Sequence, residues 1–135
     1  MNDKELISLA LAAIDNAYAP YSGFKVGAAL LCKNGKVYTG CNVENSSFGA
    51  TNCAERTAVF KAISEGERDF STIAIVGGKG GIVTDHCYPC GVCRQVLAEF
   101  CDGDFEIIVA MDVDNYRKMK LSDLLPFSFS SDMIN

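Results

Sequence analysis

Apolar residues near the start of the chain recur with the spacing of one helix face. They occupy positions i, i+3, i+4, i+7, i+8 and i+11, which predicts a helix over residues 3–17. The residues on this face are Leu6, Leu9, Ala10, Ala13, Ile14 and Ala17. Pro20 ends the helix, because proline has no backbone N–H with which to continue it. The chain therefore opens with an amphipathic helix.

Two short apolar runs follow, over residues 25–32 and 36–43. The dipeptide Asn34-Gly35 lies between them and tolerates the positive φ angles of a tight hairpin turn. The two runs are therefore predicted to form an antiparallel pair of strands.

The remaining pattern alternates between helix and strand. Helices are predicted over residues 52–65, 89–101 and 121–125, and buried strands over residues 73–76 and 107–110. The glycine-rich segment 77–81 lacks a phosphate-loop motif and is interpreted as a flexible connection. The order αββαβαβα predicts an α/β fold, with one mixed sheet covered by helices.

Length and charge narrow the classes of function. A chain of 135 residues has the size of one domain, so residues 1–135 are expected to form a single domain. The net charge of −5 disfavours nucleic acids and anionic membranes as partners. No apolar run approaches the roughly 20 residues that span a bilayer. The acidic start also lacks the pattern of a secretory signal, which predicts a cytoplasmic protein.

Seven cysteines become informative in that reducing compartment, where clustered cysteines indicate metal or redox chemistry more readily than disulfides. Cys90 and Cys93 have two-residue spacing at the opening of the third predicted helix. Cys53 opens the second helix, and helix N-termini can meet at one end of an α/β sheet. Three thiolates are thus predicted to hold zinc and leave its fourth position open. Cys32, Cys41 and Cys101 are instead interpreted as small buried hydrophobic residues with no role in the metal site.

Two residues beside Cys53 complete the predicted centre. Glu55 has the reach to move a proton at the open position without being a ligand, and Arg56 adds a positive charge beside the thiolates. Zn²⁺ with three thiolates carries a charge of about −1, which the positive ends of two helices would also offset. The arrangement is that of a catalytic zinc site.

Other interpretations of these residues remain open at this point. Asn52 and Glu55 also match a capping box, in which Glu55 would only bond the helix start. Cys87 could be the fourth ligand of a closed structural zinc site. The spacing C-x-x-C-x-x-C from Cys87 to Cys93 is also compatible with an iron–sulfur cluster. A zinc-stabilised interaction domain is the corresponding function without catalysis.

The motif C-A-E, which begins at Cys53, is followed by C-x-x-C within P-C-x-x-C, with 36 residues between Cys53 and Cys90. This pattern resembles the signature of the small cytidine deaminases. The resemblance extends over nearly the whole chain and includes the segments 18–30, 40–45, 52–58, 89–95 and 124–126. It implies a three-layer α/β/α fold with a mixed five-stranded sheet. It also implies one zinc ion per subunit on Cys53, Cys90 and Cys93, with Glu55 as the catalytic proton carrier.

The activity that this resemblance implies is hydrolytic deamination of cytidine and 2′-deoxycytidine to uridine and 2′-deoxyuridine plus ammonia, in pyrimidine salvage. A related aminopyrimidine nucleoside, such as a nucleoside antibiotic, is the alternative substrate. A polynucleotide substrate is disfavoured, since a channel for DNA or RNA normally carries basic residues.

Substrate contacts are also implied by the resemblance. Asn42 and Glu44 are expected to bind the sugar hydroxyls, and Phe24 is expected to pack on the base. The backbone N–H of Ala54 would meet O2 of the base. The backbone carbonyl of Tyr88 would accept from the exocyclic amine, at a position where the family more usually has serine.

Assembly is the last property that the resemblance implies. Family members of this length are homotetramers in which an aromatic residue from a neighbour closes each site. Phe129 is the best-aligned candidate, and Phe127 is its possible substitute. The apolar chain end needs a core or a partner to cover it, which agrees with this expectation.

Overall fold

The computed structural model describes residues 1–134, which form one mixed sheet between two layers of helices. The strands are β1 (Phe24–Cys32), β2 (Val37–Cys41), β3 (Phe70–Lys79), β4 (Glu106–Ala110) and β5 (Tyr116–Lys120). The helices are α1 (Asp3–Ala13), α2 (Ala54–Ser64), α3 (Gly91–Phe100) and α4 (Leu121–Leu124). The expected α/β fold with a mixed five-stranded sheet is confirmed.

The sheet has the strand order β2-β1-β3-β4-β5. Only β3 and β4 run parallel, with Ile73 opposite Ile107 and Ile75 opposite Val109, and the other three pairings are antiparallel. Because α3 connects the parallel pair, its N-terminus follows the carboxyl end of β3. Ligands of α/β sheets usually bind at that end.

Alternating side chains of the central strands feed two separate apolar clusters. Leu30, Ile73 and Ile107 face α2 and α3, whereas Ala74 and Ile108 face α1. All five are fully buried. Near-continuous apolar runs in the central strands are explained by this two-sided burial.

Gly40 of β2 sets how closely α2 approaches the sheet. A Cβ atom at this position would lie 2.5 Å from the carbonyl oxygen of Ala54 and 2.6 Å from the backbone nitrogen of Ala58. Glycine therefore lets the first turn of α2 rest directly on the sheet. This contact fixes the height of Cys53 and Glu55, which lie at the start of the helix.

Several element bounds differ from the predictions. The first helix ends at Ala13 and continues as a 3-10 turn over Ile14–Asn16. The interpretation of residues 77–81 as a flexible connection is wrong in part, because Gly77 and Gly78 belong to β3 and pair with β1. Only Gly80 and Gly81 form a turn, with φ angles of 63° and 83°.

Helices α2 and α3 begin later than predicted, because Cys53 and Cys90 have extended backbone and serve as their N-caps. Strand β5 was absent from the pattern-based order, although the family resemblance implied a fifth strand. Within residues 1–134, no helix has the length and apolar character needed to cross a membrane.

Candidate active site and metal centre

Three cysteines from two helix starts meet at the carboxyl end of β3. Their sulfurs all lie within 4.8 Å of one another, with 3.8 Å between Cys53 and Cys90 and 3.5 Å between Cys90 and Cys93. Cys53 is the N-cap of α2, whereas Cys90 is the N-cap of α3 and Cys93 lies in its first turn. The structure thus brings together the three ligands predicted from the sequence.

These distances fit a tetrahedral zinc ion. Zinc–sulfur bonds of about 2.3 Å place two ligand sulfurs about 3.8 Å apart, close to the separations found here. Cys93 is fully buried, Cys53 is half-buried and Cys90 is exposed, so the cluster opens toward one side only. Three protein ligands leave the fourth position of the ion free on that side.

Cys87 lies outside this cluster, although it lines the same cavity. Its sulfur packs toward β3, where a Cβ atom on Gly77 would lie 3.0 Å from it. Burial raises the pKa of the Cys87 thiol to about 12. The geometry therefore disfavours both a fourth cysteine ligand and an iron–sulfur cluster on these residues.

We expect Cys87→Ser to retain one zinc ion per chain, because the side chain contributes no ligand atom to the cluster. Zinc content measured by atomic absorption after gel filtration checks this. Cys90→Ser is the matched control and is expected to lose most of its zinc. Loss of zinc from both variants alike would make Cys87 a ligand.

Arg56 supplies positive charge directly at the cluster. Its Nη2 atom donates to the Cys53 sulfur at 3.3 Å and lies 3.5 Å from the Thr51 carbonyl oxygen. Hydrogen bonds from Cys93 and from Arg56 lower the pKa of Cys53 to about 5, despite the opposing effect of burial. The bond to Cys53 and burial raise the pKa of Cys93. A divalent cation is the group that allows all three sulfurs to ionise together.

Glu55 is a buried carboxyl group beside the thiols, with only 4% of its surface exposed. Burial raises its pKa above the ordinary carboxyl value, which suits a group that must both accept and release a proton near neutral pH. It also lines the cavity that the cluster opens into. The carboxyl group is thus placed for proton transfer at the open side of the cluster.

The capping-box interpretation of Glu55 is wrong. The N-cap of α2 is Cys53, and the backbone N–H of Asn52 donates to the carbonyl of Val43 at 2.9 Å. The Asn52 side chain donates to the Thr57 hydroxyl instead. The backbone N–H of Asn52 is therefore already occupied and cannot bond to Glu55. Capping does not explain why Glu55 is buried next to the thiols.

The cavity beside the cluster has a volume of about 260 Å³. Its walls come from the β1 start, the segment after β2, the α2 start and the segment before α3. The lining residues are Ser22, Phe24, Val26, Asn42, Glu44, Thr51, Asn52, Cys53, Ala54, Glu55, Cys87, Tyr88 and Cys90. Phe24, Asn42, Glu44, Ala54 and Tyr88, all expected to contact a substrate, are among them.

Asn42 is held rigidly at the cavity wall. Its side-chain oxygen accepts from the Val26 N–H at 2.9 Å, and its amide nitrogen donates to the Phe24 carbonyl at 2.8 Å. Both bonds fix the side chain to β1. One further N–H and one further lone pair of the amide remain for a ligand.

Glu44 is fixed by the turn that precedes β1. One carboxylate oxygen accepts from the N–H groups of Tyr21 and Ser22, and the other accepts from the Ser22 hydroxyl. The bonds from Ser22 are the main cause that lowers the pKa of Glu44. Glu44 is therefore an ionised and oriented acceptor. Sequence reasoning missed Ser22, because nothing in the pattern joins it to a residue 22 positions later.

Phe129 lies outside the cavity of its own chain. It is 57% exposed, and its carbonyl oxygen accepts from Gln95 of α3 at 2.9 Å. Phe127 is fully exposed and has a φ of 52°, which is uncommon for a residue other than glycine. Neither ring closes the site within one chain.

Comparison with known families identifies a matching domain. The model of the cytidine and deoxycytidylate deaminase zinc-binding region matches residues 1–111. This range contains all three cysteines of the cluster together with Glu55.

Relatives match along nearly their whole length. A cytidine deaminase of Halalkalibacterium halodurans is 47% identical over 135 residues, covering 100% of this chain and 99% of the relative. One from Sporosarcina psychrophila is 46% identical over 132 residues, covering 98% and 94%. The crystal structure of a cytidine deaminase from Burkholderia pseudomallei superposes with a TM-score of 0.87 at 46% identity, covering 96% of this chain and 100% of that chain.

Proposed function

The chain belongs to the cytidine and deoxycytidylate deaminase family, and from this premise we propose that it hydrolyses cytidine and 2′-deoxycytidine to uridine and 2′-deoxyuridine. Water replaces the exocyclic amine at C4, and ammonia leaves. The observation that carries the proposal is the buried Glu55 carboxyl at the open side of a three-thiol cluster. We place this activity in pyrimidine salvage.

Zinc on Cys53, Cys90 and Cys93 would supply a Lewis acid that lowers the pKa of water toward about 7. Glu55 takes the proton of the attacking water and passes it to N3 of the base. It then takes the proton of the new hydroxyl on C4 and delivers it to the departing amine, which leaves as ammonia. The raised pKa of Glu55 supports this role, because the carboxyl group must change its protonation state more than once in each turnover.

The cavity walls orient the nucleoside. The N–H of Ala54 belongs to the first turn of α2, so it has no partner within the helix and is assigned to O2 of the base. The Phe24 ring packs on the base, and the backbone carbonyl of Tyr88 receives the amine. Asn42 and Glu44 bind the sugar hydroxyls. The positive charge of Arg56 stabilises the thiolate of Cys53, to which its guanidinium donates a hydrogen bond.

We expect the enzyme to prefer cytidine over cytidine 5′-monophosphate by about 100-fold or more in kcat/KM, since one like-charge contact costs a few kcal/mol. Glu44 presents an ionised carboxylate, which accepts from a hydroxyl but repels a phosphate. Ammonia release from both compounds at equal concentration measures the ratio.

Glu44→Gln is the matched variant for this preference. It is expected to weaken cytidine binding and to narrow the gap between the two compounds. Equal turnover of nucleoside and nucleotide by the wild-type enzyme would remove charge repulsion at Glu44 as the cause of selectivity.

The proposed assembly is a homotetramer with shared sites, in which Phe129 reaches the cavity of a neighbour. Its support is the concentration of exposed apolar side chains near the chain end, which a monomer leaves in water. These are Phe127, Phe129, Met133 and Ile134. Val92 at the start of α3 is exposed as well.

Mixing two variants, each expected to impair the site through a different residue, tests the shared site. Glu55→Gln and Phe129→Ala subunits, mixed under exchange conditions, are expected to regain activity above either variant alone. A hybrid site would combine Glu55 of one chain with Phe129 of the other. A fully active monomer in sedimentation would disprove the assembly.

Cellular setting and domain extent complete the proposal. We place the enzyme in the cytoplasm, because its three-thiol cluster needs reduced cysteines and all seven cysteines are free. Residues 1–135 are proposed to form one deaminase domain. We propose that it binds a small pyrimidine nucleoside and that it binds neither nucleic acid nor a membrane.

The deciding experiment is ammonia release from cytidine by the purified, zinc-loaded protein. Release at a rate typical of enzymes, with uridine as the product, supports the proposal. If the folded, zinc-loaded protein released no ammonia, the metal centre would stand but cytidine would be refuted as the substrate. Other aminopyrimidine nucleosides would then be tested in the same assay.

A further inference from the structure

The segment 83–89 contributes to one wall of the cavity, but within residues 1–134 its backbone N–H groups make no hydrogen bonds to the neighbouring backbone. Among the residues that the structure describes, no backbone N–H from Val83 to Tyr88 donates to a backbone carbonyl. The segment nevertheless carries Cys87 and Tyr88 into the cavity lining and ends at a cysteine of the cluster. Side chains must therefore hold it in place.

Two of its anchors come from elements already fixed by the sheet. Cys87 packs toward β3 beside Gly77. Pro89 is fully buried, and its carbonyl oxygen accepts from Nε of Arg94 in α3 at 2.8 Å. Nη1 of Arg94 also donates to the Leu124 carbonyl at 2.8 Å.

The third anchor is the side chain of Tyr88. Its hydroxyl accepts from Nη1 of Arg117 at 2.8 Å, across 29 positions of sequence. Arg117 lies opposite Val109, the penultimate residue of β4, and therefore near the end of the sheet that holds the site. Met119, on the same face of β5, packs into the cluster beneath α2 and α3. Alternation along the strand thus directs Arg117 toward the cavity side.

The length of the tyrosine side chain makes this bond possible. A shorter hydroxyl side chain at position 88, such as serine, would not reach Arg117 as the phenol does. Arg117 takes part in no ion pair among residues 1–134. Its side chain donates a hydrogen bond to the Tyr88 hydroxyl.

We propose that Arg117 is a positioning residue, which acts through the Tyr88 hydroxyl to hold residue 88 at the cavity wall. Under the proposed function, on which the catalytic part of this inference rests, the residue 88 carbonyl receives the amine that leaves. A carbonyl binds more strongly as that amine gains a proton, so its placement acts mainly in the transition state. Arg117 itself touches no substrate.

The test compares Tyr88→Phe, Arg117→Gln and their double variant in the zinc-loaded enzyme. Each single variant is expected to lower kcat for cytidine by about 3- to 30-fold with little change in KM, since small misplacements of a contact reduce rates strongly. The double variant is expected to match the single variants, because both remove one shared bond. Arg117→Lys is expected to recover most of the loss.

A second readout needs no substrate. Cys87 lies within the segment, and its alkylation by iodoacetamide reports how far the wall opens. The rate is expected to rise about 3- to 10-fold in both single variants, which is the size expected for losing an exposed hydrogen bond. Cys101, at the far end of α3, is the internal reference and should react at an unchanged rate in every variant.

Lys118→Gln is the matched control, because the neighbouring lysine of β5 pairs with Asp3 and Glu106 on the opposite face. It should leave both readouts unchanged. Unaltered Cys87 alkylation in Tyr88→Phe and Arg117→Gln, or effects that multiply in the double variant, would overturn the inference. Faster alkylation in a protein that releases no ammonia from cytidine would support the anchor and refute the proposed function.

Discussion

Replacing Glu55 with glutamine is expected to lower cytidine deamination by about 10³-fold, within the range that a positioned general acid–base group contributes. Glutamine keeps the size and burial of the side chain but cannot carry a proton between water, N3 and the amine. Steady-state ammonia release at saturating cytidine measures the effect as a loss of kcat. Binding of cytidine should change much less than turnover.

Two controls separate lost chemistry from lost structure. The variant should retain one zinc ion per chain, since Glu55 is not one of the three ligands. Burial raises the pKa of Glu55 in the folded state, so ionisation as the pH rises through that value costs stability. Without metal at pH 8, Glu55→Gln is therefore expected to melt at or above the wild-type temperature. Full activity in this variant would exclude Glu55 as the proton carrier.

Replacing Cys93 with alanine is expected to remove zinc binding and to lower activity to the background rate. Cys93 is the fully buried member of the cluster, and the remaining pair leaves the ion with two protein ligands. Atomic absorption and ammonia release, each with and without added zinc, measure the two losses on the same sample.

Cys101→Ala is the matched control for this loss, because Cys101 lies outside the cluster at the end of α3. It should retain zinc and activity. Wild-type protein stripped of metal should regain activity on addition of zinc, whereas Cys93→Ala should not. A Cys93→Ala protein with one zinc ion and normal turnover would mean that another group completes the site.

Periodic patterns predicted the buried elements well, because burial is what such patterns encode. Leu6, Ala10 and Ile14 marked the inner face of the first helix, and residues 73–76 and 107–110 marked the central strands. Strand β5 gave no such signal, since it is an edge strand with the sequence Tyr-Arg-Lys-Met-Lys and three of its five residues are exposed. Edge strands commonly carry charge rather than an apolar alternation.

Residue spacing predicted the metal cluster, since ligands at a helix start and two positions apart converge by local geometry. The supporting contacts could not be predicted in this way. Glu44 is oriented by Ser22, and Tyr88 by Arg117, through bonds that join residues 22 and 29 positions apart. Such contacts depend on the folded sheet and leave no local pattern. The pattern at Asn52 was misleading for the same reason, because tertiary bonding to Val43 replaced the local cap.

Cys53 and Cys90 are 37 positions apart, and each caps a different helix. An unfolded chain holds these thiols far apart, so zinc binds the native arrangement in preference to the unfolded one. The free energy of unfolding then rises by about 1.4 kcal/mol for each tenfold increase in free zinc above the dissociation constant. Resistance to heat thereby becomes a measure of zinc supply: a cell short of the metal would hold fewer folded copies as well as fewer working ones.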